Sequence, residues 1–222
     1  MPALIRQFKR IPNWVAVDYA SILHMQDSIR EWLLDNASLT LRIKKHCQSY
    51  NMGCFSVKLL HQGMAIPSND EIQRLKIKSR HYALIREVIL YCGHTPVIFA
   101  RTVIPIKTLT GPQRQLSYLG NRPLGEFLFA QPGLQRDTME VAVLKNGHQL
   151  FDSAVSNMSD KSFPAAEKRM PDNIWGRRSI FRLRSKPLLV AEVFLPDILS
   201  MSSANSHPHN HLFPPVLSSV KV

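Results

Sequence analysis

Two apolar runs joined by a tight turn constrain this chain more than any other feature of it. His81 to Cys92 is rich in aliphatic residues, Gly93-His94-Thr95-Pro96 supplies turn chemistry, and Val97 to Ile106 runs back. The pattern predicts a β-hairpin. A second pair, Trp175 to Arg184 and Leu188 to Leu195, is joined across Ser185-Lys186-Pro187 and predicts another. Shorter strand-like segments lie at Phe55 to Leu60 and Arg136 to Val143. Helical signals fall between them. Ser28 and Glu31 are spaced as a capping box beside Ile29, Trp32 and Leu33, and the apolar set continues at Leu39, Leu41 and Ile43. Gly111-Pro112 opens a short helix through Leu119, and Leu124 to Phe129 reads as another helical piece. Hairpins rather than crossovers, with helices between them, predict an α+β fold with one antiparallel β-sheet.

The 222 residues suit a single domain. We expect an N-terminal arm over 1–26, a domain over 27–197 and a flexible tail over 198–222, which is rich in Ser, Pro and His. Within the domain, 144–173 has little periodicity and many polar residues and reads as a surface excursion, and Met64 to Lys78 reads as a polar connection. No apolar run approaches the ~20 residues of a membrane span, and the N-terminus lacks the pattern of a secretory signal. Cys47, Cys54 and Cys92 form neither a metal-type cluster nor an even framework, so reduced thiols in a cytoplasmic protein are expected. The net charge of +12 admits nucleic-acid binding, a scattered solvated surface, or a field that attracts a small polyanion. The cations are spread from Arg6 to Lys221, with one local cluster at Arg74, Lys76, Lys78 and Arg80, which favours the scattered surface.

Charged residues inside the apolar strands are the candidates for chemistry. Glu192 shares a strand face with Val190 and Phe194, Arg86 with Leu84 and Val88, and Arg101 with Phe99 and Val103. Taken singly, each reads as a structural partner, Arg101 for instance as the partner of Glu87 or Glu192. Together, two arginines and a carboxylate on adjoining strands can close a polar pocket that fits a small, flat dianion. His207, His209 and His211 alternate in the tail, where a solvated segment is a simpler account than a metal site. The chain has no Gly-rich phosphate loop, HExxH or GxSxG motif.

LIREVIL (84–90), ARTVIPIKTLTGP (100–112), LGNRPLGEFLF (119–129), WGRRSIF (175–181) and KPLLVAEVFLP (186–196) occur in that order. In these blocks the chain resembles the chorismate pyruvate-lyases, with weaker similarity back to about Ile29. The resemblance implies a single α+β domain whose helical flaps close over a buried ligand site. It implies conversion of chorismate to 4-hydroxybenzoate and pyruvate at the head of ubiquinone synthesis, with no metal or organic cofactor. Carried over by motif, Arg86 binds the ring carboxylate and Glu192 meets the ring hydroxyl. Leu124 and Leu39 give main-chain contacts, Leu39 standing where the family has methionine. Arg101, in the RTV motif, is the candidate for the enolpyruvyl carboxylate. The resemblance also implies a cytoplasmic protein, expected to be a monomer, with a small-molecule substrate and no nucleic-acid partner. The alternative is a ligand-sensing domain of the same fold, related to the effector domains of GntR-type regulators. Such a regulator needs a helix-turn-helix domain ahead of the sensor, and a match starting near Ile29 is expected to leave no room for one.

Overall fold

The computed structural model describes residues 11–17, 25, 27–158 and 171–200. The alternating histidines, most of the tail and residues 159–170 of the 144–173 excursion lie outside the described residues. Strand β1 (Val15–Ala16) precedes helices α1 (Asp27–Leu33) and α2 (Leu39–Ser49). Then come β2 (Phe55–Ala65), α3 (Asn69–Leu75), β3 (Ala83–Cys92) and β4 (Thr95–Pro105). Two 3-10 segments (Ile106–Thr108 and Gly111–Tyr118) lead to α4 (Leu124–Phe129), β5 (Gln135–Arg136), β6 (Glu140–Lys145) and α5 (Gln149–Ser156). The chain closes with β7 (Asn173–Leu183), β8 (Lys186–Phe194) and α6 (Asp197–Ser200).

All eight strands form one antiparallel sheet in the order β1-β6-β7-β8-β4-β3-β2, with β5 added beside β7. Both expected hairpins are present as β3–β4 and β7–β8, and the α+β class holds. Several segments differ from expectation. β1 lies in the arm yet pairs with β6, because two residues of extended backbone suffice to cover that edge. Helix α3 occupies the connection that reads as polar, since Glu71 accepts from the Ser68 N–H and closes its first turn. Helix α5 occupies the start of the excursion through buried Leu150, Phe151, Ala154 and Val155. Cys47 and Cys92, expected as separate thiols, form a disulfide between α2 and the end of β3, and Cys54 remains free. Forty-five residues separate the pair in sequence, so only the docking of α2 brings them together.

The sheet has apolar layers on both sides. One face packs Ile89, Phe99, Leu144 and Val193 under α5, and Ile85, Val103 and Leu189 beside Leu75 of α3. The other face carries two separate clusters. The first joins Ile29, Trp32, Leu33 and Ile43 of α1 and α2 to Val88, Ile98 and Phe194. The second joins Leu116, Leu119, Leu124 and Leu128 to Leu84, Ile104, Leu188 and Val190. The gap between these two clusters holds the site.

Candidate active site

Strand alternation decides which side chains reach the gap. Arg86 lies opposite Thr102, and Thr102 opposite Val190. One step along, Val88, Ala100, Glu192 and Arg177 form a second cross-strand row. Residues paired across neighbouring strands share a face, so both rows line one cavity, roofed by α2 and α4. About 600 Å³ of space within it is free of protein atoms, part of it open to solvent. Leu39, Val57, Leu90, Leu128 and Phe181 make much of the wall apolar.

The starts of α2 and α4 meet at the roof. A Cβ on Gly125 would lie 2.7 Å from Thr40 Oγ1, so the close approach depends on glycine. Lys44 of α2 and Glu126 of α4 also pair directly. Leu39 and Leu124 are the first residues of their helices, where main-chain N–H groups lack intrahelical acceptors.

The charged groups of the cavity are held in different ways. Arg86 is 1% exposed and donates from Nη2 to the carbonyls of Gly120 (2.9 Å) and Arg122 (3.0 Å). Its Nε is buried without an acceptor, and among the described residues it has no carboxylate partner. Burial pushes its pKa down to about 10. Glu192 accepts from Arg177 Nε at 2.6 Å through Oε2, leaving Oε1 for the cavity. Arg177 is equally buried, and its Nη1 donates to the carbonyls of Trp32, Leu33 and Asp35, fixing the end of α1. Arg136 also lines the cavity, stacked 5.1 Å from the Phe181 ring.

The cavity brings together Arg86, Glu192, Leu39 and Leu124 but not Arg101. Arg101 occupies the opposite face, where Nε and Nη2 bind both oxygens of Glu71 (2.8 and 3.1 Å) and Nη1 binds Glu87 (2.7 Å). The cause is a register shift in the first hairpin. Tyr91 faces Pro96 but Leu90 faces Ile98, so β4 carries one extra residue at Val97. Without that bulge Arg86 would lie opposite Arg101. With it Arg101 lies opposite Glu87 and turns away. Burial lowers the pKa of Arg101, but its bonds to Glu71 and Glu87 more than offset this, and the net direction is upward. Arg101→Ala is therefore expected to cost about 3–5 kcal/mol of stability, because it leaves two carboxylates uncompensated. Denaturant unfolding at neutral pH checks the loss.

Sequence reasoning missed Arg136 and Arg177 as cavity residues. For Arg177 a signal existed: it shares a face with Trp175, and antiparallel pairing with β8 places it opposite Glu192. Arg74, part of the local basic cluster, is held by Glu140 and the Thr138 carbonyl. Among the described residues no helix is long and apolar enough to cross a membrane.

Known proteins bear on a cavity of this kind. The chorismate lyase family's sequence profile matches residues 12–203, reaching past both the Ile29 and Asp197 limits of the motif blocks. A probable chorismate pyruvate-lyase of Nitrosospira multiformis is 39% identical over 173 residues, covering 78% of this chain and 89% of the relative. One from Methylococcus capsulatus is also 39% identical over 173 residues, covering 78% of this chain and 98% of the relative. Among solved structures, the effector domain of PhnF from Mycobacterium smegmatis covers 69% of this chain and 88% of its own at 9% identity, with a TM-score of 0.45. A likeness that slight carries no functional weight. Similarity of this extent to the curated relatives, on a chain that encloses a cationic cavity, makes this protein a member of the chorismate lyase family and hence a carbon–oxygen lyase.

Proposed function

We propose that the protein eliminates pyruvate from chorismate to give 4-hydroxybenzoate, the first committed step of ubiquinone synthesis. One observation supports this most: a buried arginine without a counter-ion, Arg86, shares an apolar cavity with a single carboxylate, Glu192. A planar guanidinium suits the ring carboxylate, which the main-chain N–H groups of Leu39 and Leu124 would also meet. Glu192 then takes the hydroxyl on the far side of the ring, C4 being para to the carboxylate-bearing carbon.

In the reaction the C3–O bond breaks, C4 loses its proton and the ring becomes aromatic. The released enolpyruvate gains a proton on its methylene carbon and becomes pyruvate, so atoms and charge balance. Glu192 Oε1 is the group suited to take the C4 proton and pass it on. The flaps hold the ring in one orientation, so that alignment and proton handling account for most of the rate. The residues fit this chemistry without a metal or organic cofactor. The enclosed cavity suits a small molecule rather than nucleic acid, and the protein is taken to act as a monomer. We place it in the cytoplasm, where its anionic substrate would be available.

Purified protein incubated with chorismate should release 4-hydroxybenzoate and pyruvate in equal amounts. Binding of 4-hydroxybenzoate without turnover would instead favour a ligand sensor, and loss of chorismate to any other product would overturn the assignment.

A further inference from the structure

Three guanidinium groups and one carboxylate line the cavity, and their use is unequal. Arg177 is spent on Glu192 and on three carbonyls. Arg86 and Arg136 bond only to neutral acceptors. Arg136 donates from Nε to Ser179 Oγ at 3.0 Å, from Nη1 to the Asn36 carbonyl at 3.2 Å and from Nη2 to Met139 Sδ at 3.5 Å. The bond to the Asn36 carbonyl is at the long end for an N–H donor, and the thioether is a weak acceptor. Asp35, the nearby acid, is paired with Arg42 at 3.2 Å. Away from the cavity the strand arginines behave differently: Arg101, Arg178 and Arg182 each bind carboxylates. The cavity thus carries two positive charges that its own residues leave unbalanced.

We infer that Arg136 is the receptor for a second carboxylate, so that the site is built for a dianion gripped at two separate points. The inference rests on the lyase reading and assigns the subsite that Arg101, on the wrong face, cannot supply.

Position supports it. Arg86, Thr102, Val190 and Ser179 form one row across four strands, and Arg136 is bonded to Ser179 at the far end from Arg86. Strand spacing of about 4.8 Å separates the row's ends by about 14 Å. Two arginine side chains reaching inward narrow this to the span of a small ring with one substituent. Burial and then the nearby Arg177 charge lower the pKa of Arg136, only partly countered by Glu192 and by Asp35, which is itself paired with Arg42. In chorismate the enolpyruvyl ether is on C3, next to the hydroxyl-bearing C4. With the ring carboxylate on Arg86 and the hydroxyl on Glu192, the enolpyruvyl carboxylate falls on the Glu192 side, where Arg136 is the uncommitted cation. The same charge would orient the leaving group as its C–O bond breaks.

The test exploits the difference between substrate and product, because 4-hydroxybenzoate keeps the ring carboxylate and lacks the second. Arg136→Gln should weaken chorismate binding and lower kcat/KM by about tenfold to a hundredfold, the scale of a lost charge-assisted hydrogen bond. It should leave 4-hydroxybenzoate affinity within about threefold, and Arg136→Lys should recover part of the chorismate loss. Chorismate binding within threefold of the wild type would overturn the inference, as would an equal loss for both ligands. Should the glutamine variant not fold, the same comparison in Arg136→Lys decides: a loss confined to chorismate supports the subsite, and an equal or absent loss removes it. Failure of the wild type to turn over chorismate would sink the lyase reading instead, and ligand binding would still judge Arg136.

Discussion

Arg86→Met is expected to lower turnover at least about a hundredfold while making the empty protein more stable. The guanidinium is buried beside two carbonyls with no counter-anion, and burial lowers its pKa from the ordinary arginine value to about 10. That shift corresponds to on the order of 3 kcal/mol of strain in holding the charge. The sign follows from proton counting. At neutral pH Arg86 is protonated in both states, so its depressed folded pKa works against folding. As pH rises above about 10 the folded protein loses this proton before the unfolded chain does, so the unfolded chain binds more protons and wild-type stability gains. Methionine removes the penalty, keeps most of the volume and leaves two carbonyls to water. A net gain of about 1–2 kcal/mol is expected at neutral pH. Urea unfolding of both proteins, with and without 4-hydroxybenzoate, checks each half: the variant should start higher and gain nothing from the ligand. A variant less stable than the wild type would mean that Arg86 is a structural residue.

Glu192→Gln is expected to lower kcat by about a hundredfold to ten-thousandfold, the usual range for a lost acid–base group. Its effect on folding should be small, about 1–2 kcal/mol, because a glutamine oxygen can still accept from Arg177. Glu192→Ala is a poorer test of the chemistry. It would strand the buried Arg177 charge at a cost of about 3–5 kcal/mol and loosen the end of α1. Comparing kcat with the unfolding midpoint for the glutamine and alanine variants separates chemistry from structure. A glutamine variant with wild-type kcat would remove Glu192 from the reaction.

Much of the fold was legible because its strands announce themselves. The runs at 81–106 and 175–195 are long, apolar and joined by turn residues, so both hairpins follow from local chemistry. Arg86 and Glu192 stood out because charge is rare inside such runs. What escaped was register. Whether Arg101 points with Arg86 or against it depends on a bulge at Val97, which no periodicity announces. Arg136 was hidden for a related reason: it lies on a two-residue strand whose placement beside β7 is a tertiary event. Helix α3 was obscured by its polar composition. Its three charged residues, Asp70, Glu71 and Arg74, are all spent on ion pairs that dock it to the sheet.

The extra residue at Val97 has one more consequence. Cavity-lining charge and scaffold-locking charge occupy the two sides of the same strands, one frame apart. Drawing Val97 into the ladder would place Arg101 opposite Arg86, turning it toward the cavity and stripping Glu71 and Glu87 of their cation. Deleting Val97 would instead leave Ile98 opposite Leu90 and Arg101 opposite Glu87. The bulge, rather than any side chain it carries, keeps the two kinds of charge on separate faces.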